Sequence, residues 1–324
     1  MTSRIEPPDA TAQLPRREVA VLLPSYNEAN NLVEVVPETL AILEAAGLDY
    51  EVVVVDDGST DGTRTVMKPM ISPRTRYLRL RRNSGKSEAL RAGLSMIDAE
   101  FVVLMDADGQ DDATQIPALV ERLRNGEADL ITGRRALRND RFIKRNTSKI
   151  YNAATAKVTG VEGRDFNSGL KAMTGDLAES LELYGELHRY IPVLAHWSGF
   201  RTLEVDVDHH PRRHGTTKFG KARFWRGFLD LITVKFLTTY TARPFHLFGA
   251  LGVVLGGVGS ALLAWMLVLR IQGNTVGDRP ALLAGVLLVM VGVQMVSLGL
   301  IGELIVHLRR NRQLDRESLI EVRQ

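Results

Sequence analysis

The sequence predicts an α/β protein built on a mostly parallel sheet, followed by amphipathic interface helices and a two-helix transmembrane hairpin. Three observations predict it. Between Val19 and Thr132 short β-branched runs alternate with helical stretches, the pattern of a parallel sheet covered on both faces. Residues 246 to 308 hold only four charged side chains, Arg270, Asp278, Arg279 and Glu303, in a 324-residue chain that is 24% charged, so two parts of the chain face different solvents. Cysteine is absent, which excludes disulfide-stapled folds and thiolate metal sites.

The first 17 residues carry Pro7, Pro8 and Pro15 and no apolar stretch before Val19. They read as a disordered N-terminus, neither signal peptide nor anchor. Strands are expected at Val19–Leu23, Glu51–Val55, Arg76–Leu80, Phe101–Met105 and Asp129–Thr132, with crossover helices at Asn30–Ala46, Lys86–Ile97 and Thr114–Arg124. This catalytic body is expected to occupy residues 18–220.

Residues 221–245 set Phe224, Trp225, Phe228, Leu229, Ile232 and Phe236 at near-helical spacing beside Lys221, Arg223, Arg226 and Lys235, which reads as an amphipathic helix on a membrane surface. Asp176 to Ala195, with Tyr184, His188, Tyr190 and Ile191, is a second candidate, and packing on the body explains it equally well. Residues 247–269 and 280–302 are each 23 residues without a charge, helices of about 35 Å that can cross a bilayer. The connection holds Gly273, Asn274 and Gly277, a turn signal, and residues 309–324 form a tail. Basic residues flank both ends of the hairpin, which places those ends in the cytoplasm. Gly252, Gly256 and Ser260 form a small-residue stripe suited to packing within the hairpin, and Glu303 suits snorkelling or capping.

In a parallel sheet, ligands bind at the carboxyl ends of the strands. Polar clusters follow three of the expected strands: Pro24-Ser25-Tyr26-Asn27-Glu28, Asp56-Asp57-Gly58-Ser59-Thr60-Asp61-Gly62, and Asp106-Ala107-Asp108-Gly109-Gln110-Asp111. Asp106, Asp108 and Gln110 are spaced by two, so in an extended segment all three offer oxygens to Mg2+ or Mn2+ on one side. The same residue types also suit turns and caps. Repetition at one sheet edge favours the ligand reading.

Positive charge is gathered elsewhere. Residues 133–149 hold seven Lys or Arg against one Asp, and residues 209–226 hold six against no acid, in a chain of net charge +3. Acidic loops followed by cationic segments suit a reaction in which a metal diphosphate meets a second phosphate. Asn83-Ser84-Gly85-Lys86-Ser87 is not a phosphate loop, because Leu80 stands where its first glycine belongs. His209, His210 and His214 sit among Arg212, Arg213 and Lys218, a neighbourhood that favours phosphate contact or packing over a metal.

Together, the three acidic clusters, Asn83-Ser84-Gly85-Lys86 and His210-Pro211-Arg212-Arg213-His214-Gly215-Thr216-Thr217-Lys218 resemble family 2 glycosyltransferases, in particular the polyprenyl-phosphate group that includes dolichol-phosphate mannose synthase and undecaprenyl-phosphate glucosyltransferases. The resemblance spans about residues 19–310. It implies a GT-A type, Rossmann-like sheet and an inverting enzyme that moves one sugar from a nucleotide diphosphate sugar, UDP favoured slightly over GDP, to a polyprenyl phosphate.

The resemblance also implies roles. Pro24, Tyr26, Glu28, Asp57, Lys86 and Asp106 take the donor nucleotide, and Asp106, Asp108 and Gln110 the metal, Mg2+ or Mn2+. Arg145, Ser148, Arg212 and Lys218 meet the acceptor phosphate. Asp165, Asp108, Arg135 and Arg212 form the catalytic set, although Arg134 stands for a usual serine and Leu170-Lys171 for a usual Phe-Arg. A phosphate monoester is largely ionised at pH 7, so Asp165 is expected to position a substrate more than to abstract a proton. The expected partners are the nucleotide sugar, the lipid phosphate and a bacterial inner membrane, with no nucleic acid, and a homo-oligomer that the resemblance makes a tetramer. A processive polysaccharide synthase would carry a Gln-x-x-Arg-Trp signature, and Lys221-Ala222-Arg223-Phe224-Trp225 is not one. A non-catalytic membrane scaffold is disfavoured by the intact acidic loop.

Overall fold

A computed structural model of the chain describes residues 16–135, 168–211, 213–214, 244–277 and 279–318. They fall into two compact units, one holding the sheet and one the apolar helices. The first seven-stranded unit runs β1 (Arg17–Ser25), α1 (Ala29–Ala45), β2 (Tyr50–Asp56), α2 (Thr63–Met67), β3 (Thr75–Arg79), α3 (Lys86–Leu94), β4 (Ala99–Leu104), α4 (Ile116–Arg124), β5 (Leu130–Arg135), β6 (Lys171–Thr174) and β7 (Thr202–Val207).

The strand order is β3-β2-β1-β4-β6-β5-β7, parallel throughout except for β6, which is antiparallel to both β4 and β5. The five expected strands are present, shifted at their ends by one to three residues. β6 and β7 lie beyond the region of clear alternation. β6 is only four residues long and opens with a buried lysine, so it lacks the β-branched run that marks the earlier strands.

Alternation along β1 sends Val19, Val21 and Leu23 to one face, where Leu32, Val35, Val36 and Leu43 of α1 and Ile116, Leu119, Val120 and Leu123 of α4 complete the main core. Leu22 points the other way, towards α3. There a side chain at Gly93 would come 2.3 Å from Leu22 Cδ1, so glycine sets how closely α3 approaches the sheet. Asp176–Ala195 is no single amphipathic helix. A short helix Gly175–Ser180, a 3-10 turn Leu187–Tyr190 and a helix Ile191–Trp197 bury Leu177, Leu187, Tyr190, Ile191 and Val193, so packing on the body explains this segment.

Reversal of β6 matters for the site. β6 begins where β4 ends, with Lys171 opposite Leu104, so Ser168, Gly169 and Lys171 arrive at the same edge as the loop that follows β4.

Among the described residues the second unit holds helices Pro244–Ile271 and Pro280–Ser318. Pro244–Ile271 and Pro280–Leu308 are long and apolar enough to cross a membrane. They meet through glycines: a side chain at Gly252 would lie 2.6 Å from Gly292 O, and one at Gly259 2.8 Å from Gly285 O. Their outer faces expose Val253, Trp265, Leu267, Leu283, Leu287 and Leu300. Glu303 accepts the backbone N–H of Phe245 at 3.4 Å, capping the first turn of the facing helix, one of the two roles its position allows.

Candidate functional site

The loops after β1 and β2 are fastened to each other. Asn27 holds a left-handed backbone (φ 55°), the Ser59 hydroxyl accepts its N–H at 2.8 Å, and its side-chain oxygen accepts the Thr60 N–H at 2.8 Å. Beneath them Asp56 is fully buried and saturated, by Tyr77 Oη at 2.5 Å, by the Ser59 N–H at 2.7 Å and by the Arg79 guanidinium at 3.3 Å. Burial, then the Asp56 carboxylate, pushes the Tyr77 phenol above its ordinary range.

Asp57, one residue on, points to the loop that opens α3, and its two oxygens accept the N–H groups of Ser84 (2.7 Å) and Gly85 (2.8 Å). Gly58 (φ +70°) lies under the same loop, and any side chain there would meet the Arg82 carbonyl carbon at 2.5 Å. Arg82, Asn83, Ser84 and Glu88 line a cavity of about 430 Å³ beside this corner. Pro24 and Tyr26 stand half-buried at the end of β1, and Glu28 opens α1, its backbone carbonyl accepting the N–H groups of Asn31 and Leu32 at 3.0 Å.

At the end of β4 the acidic loop turns over the first residues of β6. Lys86, the first residue of α3, donates to Asp106 Oδ1. Desolvation works against a charged Asp106, but the charge and hydrogen bond of Lys86, with the charge of Lys171, hold its carboxyl below the usual range. The Asp106 N–H donates to Asp111 Oδ2 at 3.1 Å. Gly169 leaves room for both carboxylates, since a Cβ there would come 2.3 Å from Asp111 Oδ2 and 2.8 Å from Asp106 Cγ. Asp108 is buried and accepts the Gln110 N–H at 3.2 Å, while the Gln110 side chain donates to His210 O at 3.4 Å.

The donor set is all oxygen, which suits a hard cation such as Mg2+ or Mn2+. Among the described residues no three His, Asp or Glu side chains gather as a metal cluster. A cation bound here would therefore take one or two protein carboxylates and complete its shell with phosphate and water oxygens, the usual habit of Mg2+.

A histidine meets α3 next to Lys86. His188 Nδ1 lies 2.9 Å from the hydroxyl of Ser87, which is fully buried. Burial first, then the charges of Lys86, Arg189 and Lys171, push the imidazole down to about 2, so it is neutral at any physiological pH.

The structure thus brings Lys86, Asp106, Asp108 and Gln110 to one edge, with Asp57 on the adjoining corner. Asp165, Arg145, Ser148, Arg212 and Lys218 lie outside the described residues, as do residues 221–243 and the side chain of Arg135, the last residue of β5. Arg134 makes a two-pronged pair with Asp206 on β7, at 2.5 and 2.6 Å. The three histidines each meet a carboxylate: His209 Nδ1 lies 3.5 Å from Asp111, His210 Nε2 3.2 Å from Asp112 and His214 Nε2 3.1 Å from Glu34. Sequence reasoning missed Lys171 and His188 as site residues. The signal for Lys171 was a lysine inside an apolar stretch, Leu170 to Met173, whereas His188 gave none.

The description "Glycosyl transferase family 2" matches residues 20–181. The dodecaprenyl-phosphate galacturonate synthase of Rhizobium johnstonii is 34% identical over 295 residues, covering 89% of this chain and 87% of that protein. The undecaprenyl-phosphate 4-deoxy-4-formamido-L-arabinose transferase of Edwardsiella ictaluri is 32% identical, covering 89% and 88%. Among solved structures, glucosyl-3-phosphoglycerate synthase of Mycobacterium tuberculosis with Mn2+ and UDP-glucose aligns with a TM-score of 0.53 at 21% identity, covering 68% of this chain and 79% of that one, a likeness of fold. An acidic loop at the carboxyl edge of a GT-A type sheet, a lysine-bound aspartate within it and near-full-length similarity to two sugar transferases have one explanation: the chain is a glycosyltransferase and belongs to glycosyl transferase family 2.

Proposed function

We propose that the enzyme moves one sugar, with inversion, from a nucleotide diphosphate sugar to a polyprenyl phosphate at a bacterial inner membrane. The observation that carries this reading is Asp106 held by Lys86 and by the charge of Lys171, in an acidic loop that also holds Asp108, in a chain that also has two helices fit to cross a bilayer. Both relatives are named for a sugar on a polyprenyl phosphate, and the solved neighbour holds UDP-glucose and Mn2+.

In this reading Pro24, Tyr26, Glu28 and Asp57 hold the nucleoside, and Lys86 faces the diphosphate. Asp106 and Asp108, with Gln110, would hold a divalent cation, which when bound draws electron density from the leaving diphosphate. An oxygen of the lipid phosphate forms a bond to the anomeric carbon with its own lone pair, and the bond from that carbon to the donor's diphosphate oxygen breaks, its electron pair leaving on the nucleoside diphosphate. The attacking phosphate is already ionised at pH 7, so the protein's task is to hold two anions together. Arg135, Arg145, Ser148, Arg212 and Lys218 serve that task, and Asp165 orients the reactants. We assign residues 18–220 to the catalytic body, 221–245 to an interface helix, 246–308 to the spans and 309–324 to the tail, and the basic residues that follow the second span, Arg309, Arg310 and Arg312, favour the cytoplasmic face for this end of the chain.

The test uses purified protein in detergent with radiolabelled UDP- and GDP-sugars and undecaprenyl or decaprenyl phosphate, with and without EDTA. Butanol-soluble label that EDTA abolishes is the expected result. Label formed equally with EDTA removes the cation, and no lipid-linked product from a full donor panel removes the proposal.

A further inference from the structure

His188 and Ser87 are 101 residues apart in sequence and share two hydrogen bonds. The buried Ser87 Oγ accepts the His188 backbone N–H at 3.2 Å and lies 2.9 Å from Nδ1. A hydroxyl has one proton to give, and among the described residues Oγ reaches no acceptor other than Nδ1. If Nδ1 carried a proton, the buried O–H would be stranded at a cost of about 1–3 kcal/mol. Nδ1 therefore accepts, and the ring proton sits on Nε2. Double protonation is opposed by burial and by Lys86 on α3, Arg189 alongside and Lys171 on β6, against which the charge of Asp106 is the smaller influence. Nε2 has no protein partner among the described residues, and His188 is half-buried, bonded to the residue that follows Lys86 and close enough to feel the charges of both Lys86 and Asp106.

We propose that His188 presents its uncharged Nε2–H to a diphosphate oxygen of the bound donor, and that Ser87 is the positioning residue that fixes this tautomer. The inference rests on the nucleotide-sugar reading of the site. A neutral donor has a use here that a cation lacks. Lys86 and Lys171 already bring two positive charges to Asp106, and a third would repel a divalent cation and retain the anionic product. An N–H without charge orients an oxygen and does neither.

Two substitutions separate the ends of the ring. His188→Gln puts an amide nitrogen near the place of Nε2 and gives up the Ser87 contact, whereas His188→Asn puts its polar atoms near Nδ1 and gives up the outward donor. UDP and GDP binding to the full-length protein in detergent with Mg2+, measured by calorimetry, is the readout. For the nucleotide that binds, His188→Gln is expected within about threefold of the unsubstituted enzyme and His188→Asn about tenfold weaker, the worth of one hydrogen bond to a charged acceptor. The reverse order, equal weakening of both variants or no weakening of either overturns the proposal. A second measurement needs no variant binding data: the chain has seven histidines, and the imidazole 15N signals altered by Ser87→Ala identify His188. A pyridine-type Nδ1 is expected, and a protonated Nδ1 overturns the tautomer. Binding of neither nucleotide by the unsubstituted enzyme brings down the nucleotide-sugar reading and this inference together; binding with the wrong variant order removes His188 alone.

Discussion

Lys86 and Asp106 are joined by a hydrogen bond that ties the N-terminus of α3 to the loop after β4, with each side chain about one-third exposed. A partly exposed pair adds little to stability, so its value lies in where it holds charge. Lys86→Met is expected to leave the melting temperature within a few degrees of the parent while raising the donor KM at least tenfold. Steady-state kinetics over donor concentration checks it; an unchanged KM removes Lys86 from the donor site.

His188 gives the enzyme a pH signature. Its native pKa is depressed to about 2 from an ordinary 6.5, so below pH 6.5 the unfolded chain binds a proton that the native state refuses. Stability from this group is complete above about pH 6.5 and falls as pH drops towards 2, by at most about 1.4 kcal/mol per pH unit. Melting in detergent between about pH 7 and 5 should show a steeper acid loss for the parent than for His188→Gln. Parallel curves would mean that His188 ionises freely in the native protein.

Gly169 keeps two carboxylates where they are. Gly169→Ala would set a methyl 2.3 Å from Asp111 Oδ2 and 2.8 Å from Asp106 Cγ, so the acidic loop must shift. Turnover is expected to fall at least a hundredfold, because misplacement by about 1 Å costs that much. Turnover within threefold of the parent would show that the loop adapts freely.

Tyr77 donates to the buried Asp56 at 2.5 Å. Tyr77→Phe leaves that oxygen to Arg79 alone, and a loss of about 1–3 kcal/mol is expected in denaturant unfolding. The donor KM should change less than stability does, since the phenol acts through the Asp56 network.

Gly292 faces the backbone of the opposite apolar helix, where a Cβ would come 2.7 Å from Gly256 N. Gly292→Leu has to part the two helices, and faster protease cleavage of the hairpin in detergent than in the parent is expected. The substitution Gly257→Leu serves as a control, since nothing lies within 4 Å of a Cβ there.

Legibility in the sequence followed the strength of local signals. β1, β2 and β4 are runs of Val, Leu and Ala ended by polar loops, and burial on both faces leaves such strands no other reading. Asp57, Lys86, Asp106 and Asp108 were visible because each belongs to a cluster of turn-forming or charged residues. β6 was not, because its place is set by partners on either side and its reversal by nothing local. His188 was invisible for a similar reason: what makes it a site residue is a serine 101 positions away. Its neighbours Tyr190 and Ile191, which with Tyr184 and His188 suggested an amphipathic surface, are core residues.

Asp57 spends both carboxylate oxygens on the amides of Ser84 and Gly85, while Asn27 and Ser59 bind the preceding loops together. Three loops from three strands are thereby one mechanical part. Exchange of a single loop would disturb the other two, so under the donor binding proposed above a graft meant to alter nucleotide preference has to carry residues 24–28, 56–62 and 82–86 as a set.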